Sequence, residues 1–331
     1  MPVSARTSAV FPWSMCPAVP TITFFIALFF IIVAPVRAQD PPAAASDEIP
    51  TFKTGVVDVR LDVQVTQGAK LVKKLQKEDF IVKDEGAPQN LAGFAHGTDK
   101  LSLLLLLDIS GSMTRYLAQI SRTAREAMKF LQPGDRVAVM VFAKKSELHQ
   151  EFSDNLAETA RRMANPVEGH DVGAGTQINQ AVLDAARYMD KNAGPDGRRA
   201  ILILTDNLSI SYMLPDQRVI KALNEADTVL DAIVVGRGIR PDAKAGQNTD
   251  FTPADVFHLA GETGGEAVKA DRADTSFKEM VERIRSRYTL AYHAPEAQPG
   301  TYRHISVDLT AEARKWYPAA VIHARPGYFV K

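Results

Sequence analysis

The chain has 331 residues, 46% of them apolar, with 39 basic side chains balanced by 39 acidic ones. At roughly 100–200 residues per domain this length accommodates about two cores, and the even charge balance lacks the basic footprint of a nucleic-acid binder. A single cysteine, Cys16, excludes a disulfide framework, a Cys-rich zinc site and an iron–sulfur cluster, so any metal must be held by oxygen or imidazole.

Residues 24–34 form an unbroken apolar run of 11, short of the roughly 17–25 that a membrane span needs and suited to a signal-peptide core. Val36 and Ala38 stand at the minus-three and minus-one positions of a cut before Gln39, and Arg6 supplies a positive start. Residues 1–38 are therefore read as a signal peptide, which makes the chain exported, periplasmic or extracellular. The alternative is an uncleaved anchor, because residues 17–36 are also mostly apolar; membrane contact is expected through that segment alone. Cleavage would remove Cys16, Arg6 and Arg37, leaving 37 basic against 39 acidic side chains. Residues 39–50, biased to Pro, Ala and Ser, read as a linker.

From Val57 the chain alternates strictly, with Val57, Val59, Leu61, Val63 and Val65 on one face and Asp58, Arg60, Asp62 and Gln64 on the other. That is a half-buried antiparallel strand. Phe80, Ile81 and Val82, the turn Asp84-Glu85-Gly86, and then Leu91 and Phe94 continue it as a hairpin, so residues 51–98 supply the first half of a small all-β, sandwich-like domain. Between 99 and 287 short apolar runs alternate with amphipathic helices, the pattern of an α/β domain with a doubly wound, mostly parallel, Rossmann-like sheet. Strands are predicted at 103–107, 137–142, 201–204, 229–235 and 266–269. Helical spacing appears in Leu117, Ile120, Ala124, Ala127 and Leu131, in Ile178, Val182, Ala185 and Met189, and in Phe277, Met280, Val281 and Ile284. Pro133-Gly134 is expected to end the first helix, and Ser276 with Glu279 to cap the last. After Arg287 the period returns to two, so residues 288–331 supply the second half of the β domain, with the α/β domain inserted between the halves.

The chemistry gathers where these strands end. Asp108-Ile109-Ser110-Gly111-Ser112 follows directly on the run at 103–107, which places an acid and two hydroxyls at the carboxyl edge of a central strand, where such sheets bind ligands. The run at 201–204 leads straight into Thr205-Asp206 at the same edge, and Gly173-Ala174-Gly175-Thr176 precedes the second helix on a loop whose glycines permit close backbone approach. Two carboxylates and three hydroxyls are hard oxygen donors, suited to Mg²⁺, Mn²⁺ or Ca²⁺. Ser110, Ser112 and Thr176 would bind directly, and Asp108 and Asp206 directly or through water. With so few formal charges from the protein, the ion should favour an acidic oxygen from another molecule.

Asp108-Ile109-Ser110-Gly111-Ser112, Thr176 and Asp206, in this order and on these elements, resemble the metal-ion-dependent adhesion site of von Willebrand factor A domains, over about residues 101–287. The stretch Leu75-x-x-Glu78-Asp79-Phe80 with its Asp84-Glu85-Gly86 turn, and the closing Ala324-Arg325-Pro326-Gly327-Tyr328-Phe329, are similar to the exported bacterial family called VWFA-related, first catalogued in acidobacterial genomes. The resemblance implies a metal, Mg²⁺ foremost, that takes an Asp, Glu or C-terminal carboxylate from a protein ligand. For the bacterial family it implies no established partner. One departure stands out: Asn207 follows Asp206 where A domains commonly carry Gly.

Other motifs carry less. The seven histidines lack zinc-protease spacing, and His170-Asp171, on the loop of Thr176, stays outside the site. Gly236-Arg237-Gly238 fails as a dinucleotide fingerprint at Pro241, and neither a P-loop nor a nucleophile elbow is present, so no nucleotide site or nucleophilic serine is expected. Tyr288, Tyr292, Trp316, Tyr317, Tyr328 and Phe329 are expected to fill the β domain. The expected function is a non-enzymatic binding module, with specificity from loops 113–116, 168–177 and 207–214; the alternatives are a metal-stabilised scaffold for envelope assembly and a metal-dependent hydrolase.

Overall fold

The computed structural model describes residues 58–330 except 165, 167, 195, 210–213, 237–251 and 254; the predicted signal peptide and linker lie outside the described residues. In chain order the first strands are β1 (Asp58–Gln67), β2 (Lys70–Leu71), β3 (Phe80–Asp84), β4 (Ala87–Gln89) and β5 (Leu91–His96). The alternating part follows: β6 (Leu101–Asp108), α1 (Thr114–Met128), β7 (Arg136–Phe142), β8 (Ser146–Ser153), α2 (Leu156–Arg162), α3 (Ile178–Asn192), β9 (Arg198–Thr205), β10 (Leu208–Ser209), α4 (Asp216–Glu225) and β11 (Val229–Val235). It continues with β12 (Thr252–Pro253), α5 (Val256–Glu262), β13 (Ala267–Ala270) and α6 (Ala273–Arg285). The chain closes with β14 (Tyr288–His293), β15 (Tyr302–Leu309), α7 (Ala311–Trp316), β16 (Ala320–His323) and β17 (Gly327–Phe329).

The central sheet runs β13-β11-β9-β6-β7-β8, parallel throughout except for β8. Every residue of β6 is buried because helices cover both faces, which is why this strand reads as a continuous apolar run. Alternate side chains serve opposite layers: Leu103, Leu105 and Leu107 pack with α1 and α6, while Leu104 and Leu106 pack with α3, α4 and α5. The five strands expected from sequence all form. The edge strand β8 escaped, because its sequence SELHQEFS is polar and register shifts against β7 break its alternation. The expected cap at Ser276 does not form: α6 starts at Ala273, one turn earlier, which puts Ser276 inside the helix.

The flanking segments build two antiparallel sheets. One runs β16-β1-β14-β5, with β2 on β1, and the other runs β17-β15-β3-β4. Asp58 to Val63 pair with His293 to Tyr288, and Phe80 to Asp84 pair with Leu309 to Ile305, so strands from before and after the α/β layer join in both sheets, alternating in the first and meeting at β15–β3 in the second. Val59, Leu61, Val63, Phe80, Val82, Tyr288 and Tyr292 share one core between them. Inside it the buried Asp84 carboxylate accepts from Tyr292 Oη at 2.8 Å, Tyr328 Oη at 3.1 Å and Arg303 Nε at 2.8 Å. Burial and this carboxylate together push the Tyr292 hydroxyl far above its ordinary range. Trp316 corrects the expectation for the aromatic tail, since it ends α7 at the surface, 80% exposed. No helix among the described residues is long and apolar enough to cross a membrane.

Candidate metal site

Strands β6 and β9 are neighbours in register, Leu107 opposite Leu204, so Asp108 and the Thr205-Asp206 pair emerge side by side at the carboxyl edge. Asp108 Oδ1 accepts from the Ser110 amide at 3.0 Å, and its Oδ2 accepts from Thr205 Oγ1 at 2.8 Å. Ser112 Oγ donates to Asp206 Oδ2 at 2.7 Å, and the two serine hydroxyls lie 3.3 Å apart. Asp206 Oδ1 takes the Leu208 amide at 3.2 Å. Hydrogen bonds thus gather Asp108, Ser110, Ser112 and Asp206 from two strand ends.

Thr176 arrives by its backbone. Its carbonyl accepts from Ser209 Oγ at 3.2 Å, and the Gln177 amide donates to Ala143 O at 2.9 Å, which ties the loop to the ends of β10 and β7. Gly173 and Gly175 on this loop take φ of 74° and 93°, so both expected glycines stand where a side chain would be strained. Asn207 resolves the departure noted in the sequence: its φ is 59°, the left-handed conformation that Gly adopts freely and Asn tolerates best among the others. The turn geometry survives the replacement.

Sequence reasoning passed over Thr205 and Ser209, which orient Asp108 and the Thr176 loop. Their signal was position alone, a hydroxyl flanking Asp206 on either side. The specificity loops need one correction, because Met113 and Tyr116 are buried in the core beside α1 and leave only Thr114 and Arg115 exposed in that stretch. Residues 210–213 of the third loop lie outside the described residues.

Electrostatics separates this edge from the rest of the molecule. Among the described residues five aspartates are buried: Asp84, Asp108, Asp135, Asp206 and Asp231. Three of them face guanidinium groups, Asp84 with Arg303 at 2.7 Å, Asp135 with Arg285 at 2.8 Å and Asp231 with Arg287 at 2.8 Å. Among the described residues Asp108 and Asp206 have only neutral donors. Burial therefore pushes the Asp108 carboxyl up to about 6, with Asp206 adding to the rise while the Ser110 and Thr205 hydrogen bonds oppose it. A buried carboxylate pair with no basic side chain beside it among the described residues, accompanied by hydroxyl oxygens, fits a hard dication. Among the described residues no group of three or more His, Cys, Asp or Glu forms a softer alternative.

A doubly wound sheet with this donor set at its carboxyl edge defines a Rossmann-like α/β module. Residues 103–208 match the family profile described as von Willebrand factor type A domain. No curated protein matches the chain. Solved structures similar to it include BatB from Bacteroides thetaiotaomicron, a conserved hypothetical protein, 20% identical over 56% of this chain and 97% of that one at a TM-score of 0.41. A von Willebrand factor type A protein from Catenulispora acidiphila is 12% identical over 85% of this chain and 76% of that one, with a TM-score of 0.45. Proximal thread matrix protein 1 from the mussel byssus, with a zinc-occupied metal-ion-dependent adhesion site motif, is 12% identical over 62% of this chain and 50% of that one, again at 0.45.

Proposed function

We propose that the protein is an exported, non-enzymatic binding module that captures an acidic group of a protein partner through a divalent cation, Mg²⁺ foremost. The observation that carries this reading is the pair of buried aspartates, Asp108 and Asp206, which face no arginine among the described residues, whereas the other three buried aspartates each do. Ser110, Ser112 and Thr176 would offer neutral hydroxyl oxygens to the ion, with Asp108 and Asp206 balancing its charge. When bound, a hard dication supplies a Lewis-acidic centre that attracts one further anionic oxygen. The chain's own part is to hold the donors rigid: Thr205 fixes Asp108, Ser112 fixes Asp206, and Ser209 fixes the Thr176 loop. The flanking motifs quoted from the sequence support membership of the exported VWFA-related family, and the apolar run at 24–34 supports delivery to the periplasm or cell surface.

Calorimetric titration of Mg²⁺ or Mn²⁺ into the purified protein tests the site, and capture of an acidic partner with and without EDTA tests the role. Binding is expected in the wild type and lost in Asp108→Ala. Equal binding in both proteins rejects the site, and capture that survives EDTA rejects the metal-bridged mechanism.

A further inference from the structure

The loop between α2 and α3, which ends at Thr176, is fastened to the edge strand β8 by two histidines. His170 Nδ1 lies 2.8 Å from Glu147 Oε2, His170 Nε2 lies 2.7 Å from His149 Nδ1, and His149 Nε2 lies 3.2 Å from the Arg162 carbonyl oxygen. The rings are tilted by 57° with centroids 5.0 Å apart. Nothing in the sequence foretold this pairing, since the two residues are 21 positions apart on different elements.

The acceptors settle where the protons go. A carbonyl oxygen only accepts, so His149 Nε2 carries a hydrogen; the Glu147 carboxylate only accepts, so His170 Nδ1 carries another. One more hydrogen is needed between the facing nitrogens. The complete chain therefore holds three protons on four ring nitrogens, one imidazole neutral and the other imidazolium. Burial, the neighbouring His170 and Arg162 all lower the affinity of His149 for a second proton, while its bond to the Arg162 carbonyl opposes them.

We propose that this pair is a proton-operated latch, which holds residues 168–171 against β8 while it carries three ring protons and lets them go when acid adds a fourth. The fourth proton occupies His149 Nδ1, the lone pair that accepts from His170, and leaves two cationic rings face to face. Other charged groups around the pair do not take over this role. On β8, Glu151 lines the same groove, and on α2 Glu158 is engaged by Arg161 and by Arg162 at 3.1 Å; on the loop itself Glu168 and Asp171 are exposed. The far end of the loop has separate fastenings, Lys145 N to Val172 O and Gln177 N to Ala143 O, both 2.9 Å, so release concerns the approach to Thr176 and not Thr176 itself. The latch stands on these contacts whether or not the neighbouring site binds metal.

Amide hydrogen exchange of the full chain without metal, corrected for intrinsic rates, tests it. The proton that opens the latch binds below the ordinary histidine value of 6.5, so opening of 168–171 should rise by on the order of tenfold between pH 7.5 and 5.5, with the rest of the chain little changed. His149→Ala should be open at both pH values. His149→Asn, which keeps an acceptor near Nδ1 but takes no proton, should stay protected at both. In the wild type at pH 7, nitrogen NMR of the two rings should show three protonated nitrogens and one bare. A pH-independent loop, or a response of His149→Asn equal to wild type, overturns the latch. So does a two-proton pair that protects the loop only when Zn²⁺ is added, which would make the site a metal clamp.

Discussion

Asp62 sits on β1 between two arginines of the α/β layer, and replacing it with Asn should be among the most damaging conservative changes in the chain. Its carboxylate accepts from Arg198 Nε at 2.7 Å and lies 3.6 Å from Arg287 Nη1, and both arginine side chains are 1% exposed. Arg287 keeps Asp231 after the change, and Arg198 keeps the Ile284 and Arg285 carbonyls at the end of α6, but Arg198 loses its carboxylate. Removing one partner of a buried ion pair costs about 3–5 kcal/mol; the surviving carbonyl bonds and the partial exposure of Asp62 put the expectation at about 3 kcal/mol. That is a large share of a total stability of roughly 5–15 kcal/mol. Urea unfolding of Asp62→Asn followed by circular dichroism measures it. The exposed pair Lys73–Glu282 at 2.8 Å serves as control, with Glu282→Gln expected to change stability by less than about 1 kcal/mol. Arg198 opens β9 beside Leu101, so the damage lies about 23 Å along the strands from Asp108, and Mg²⁺ affinity of the folded fraction should be unchanged. A loss below about 1 kcal/mol in Asp62→Asn would refute the reasoning that buried charge is what joins these layers.

Removing the buried charge at the site should have the opposite sign. Asp108→Asn is expected to stabilise the metal-free protein at pH 7.5 by roughly 1–3 kcal/mol, because the native carboxyl is held near 6 by burial, while calorimetry detects no Mg²⁺ binding; a destabilised variant contradicts this. Ser112→Ala removes one hydroxyl donor and the bond that orients Asp206, and should weaken Mg²⁺ binding by on the order of 10–100-fold with little change in stability. Gly265→Ala should leave little soluble protein, because a Cβ there would lie 1.8 Å from the Leu230 carbonyl oxygen, an overlap worth about 3 kcal/mol or more; a normal melting temperature would show that the backbone yields. Acid should weaken the fold through its histidines. His96, His149 and His323 are all held below 6.5, chiefly by burial, so below 6.5 the unfolded chain binds more protons and stability falls as pH drops. The Asp108→Asn background removes the carboxyl that titrates with the opposite sign in this range, and a urea midpoint that stays flat from pH 7.5 to 5.5 would contradict the assignment.

Legibility followed burial. The strand β6 and its partners are plain in the sequence because both their faces meet helices, so nearly every position must be apolar. The edge strand β8 has one polar face and a shifted register, so it carries neither a continuous run nor a clean alternation. Helix α4 was missed although Val219 and Leu223 are fully buried, because an apolar stripe of that width over 10 residues is a weak signal. At the site, Asp108, Ser110, Ser112 and Asp206 were nameable in advance because each follows a strand that announces itself.

By itself the sequence determined the layer order and the edge at which the oxygen donors gather, since hydrophobic period dictates strand and helix, and strand ends dictate where loops emerge. Only the tertiary structure decided which carboxylates have a counter-ion. Arg303 reaches Asp84 across 219 positions and Arg287 reaches Asp231 across 56, so no local pattern marks either pair. The same holds for His149 and His170, whose shared proton arises because two elements with no common sequence signal pack within hydrogen-bond range.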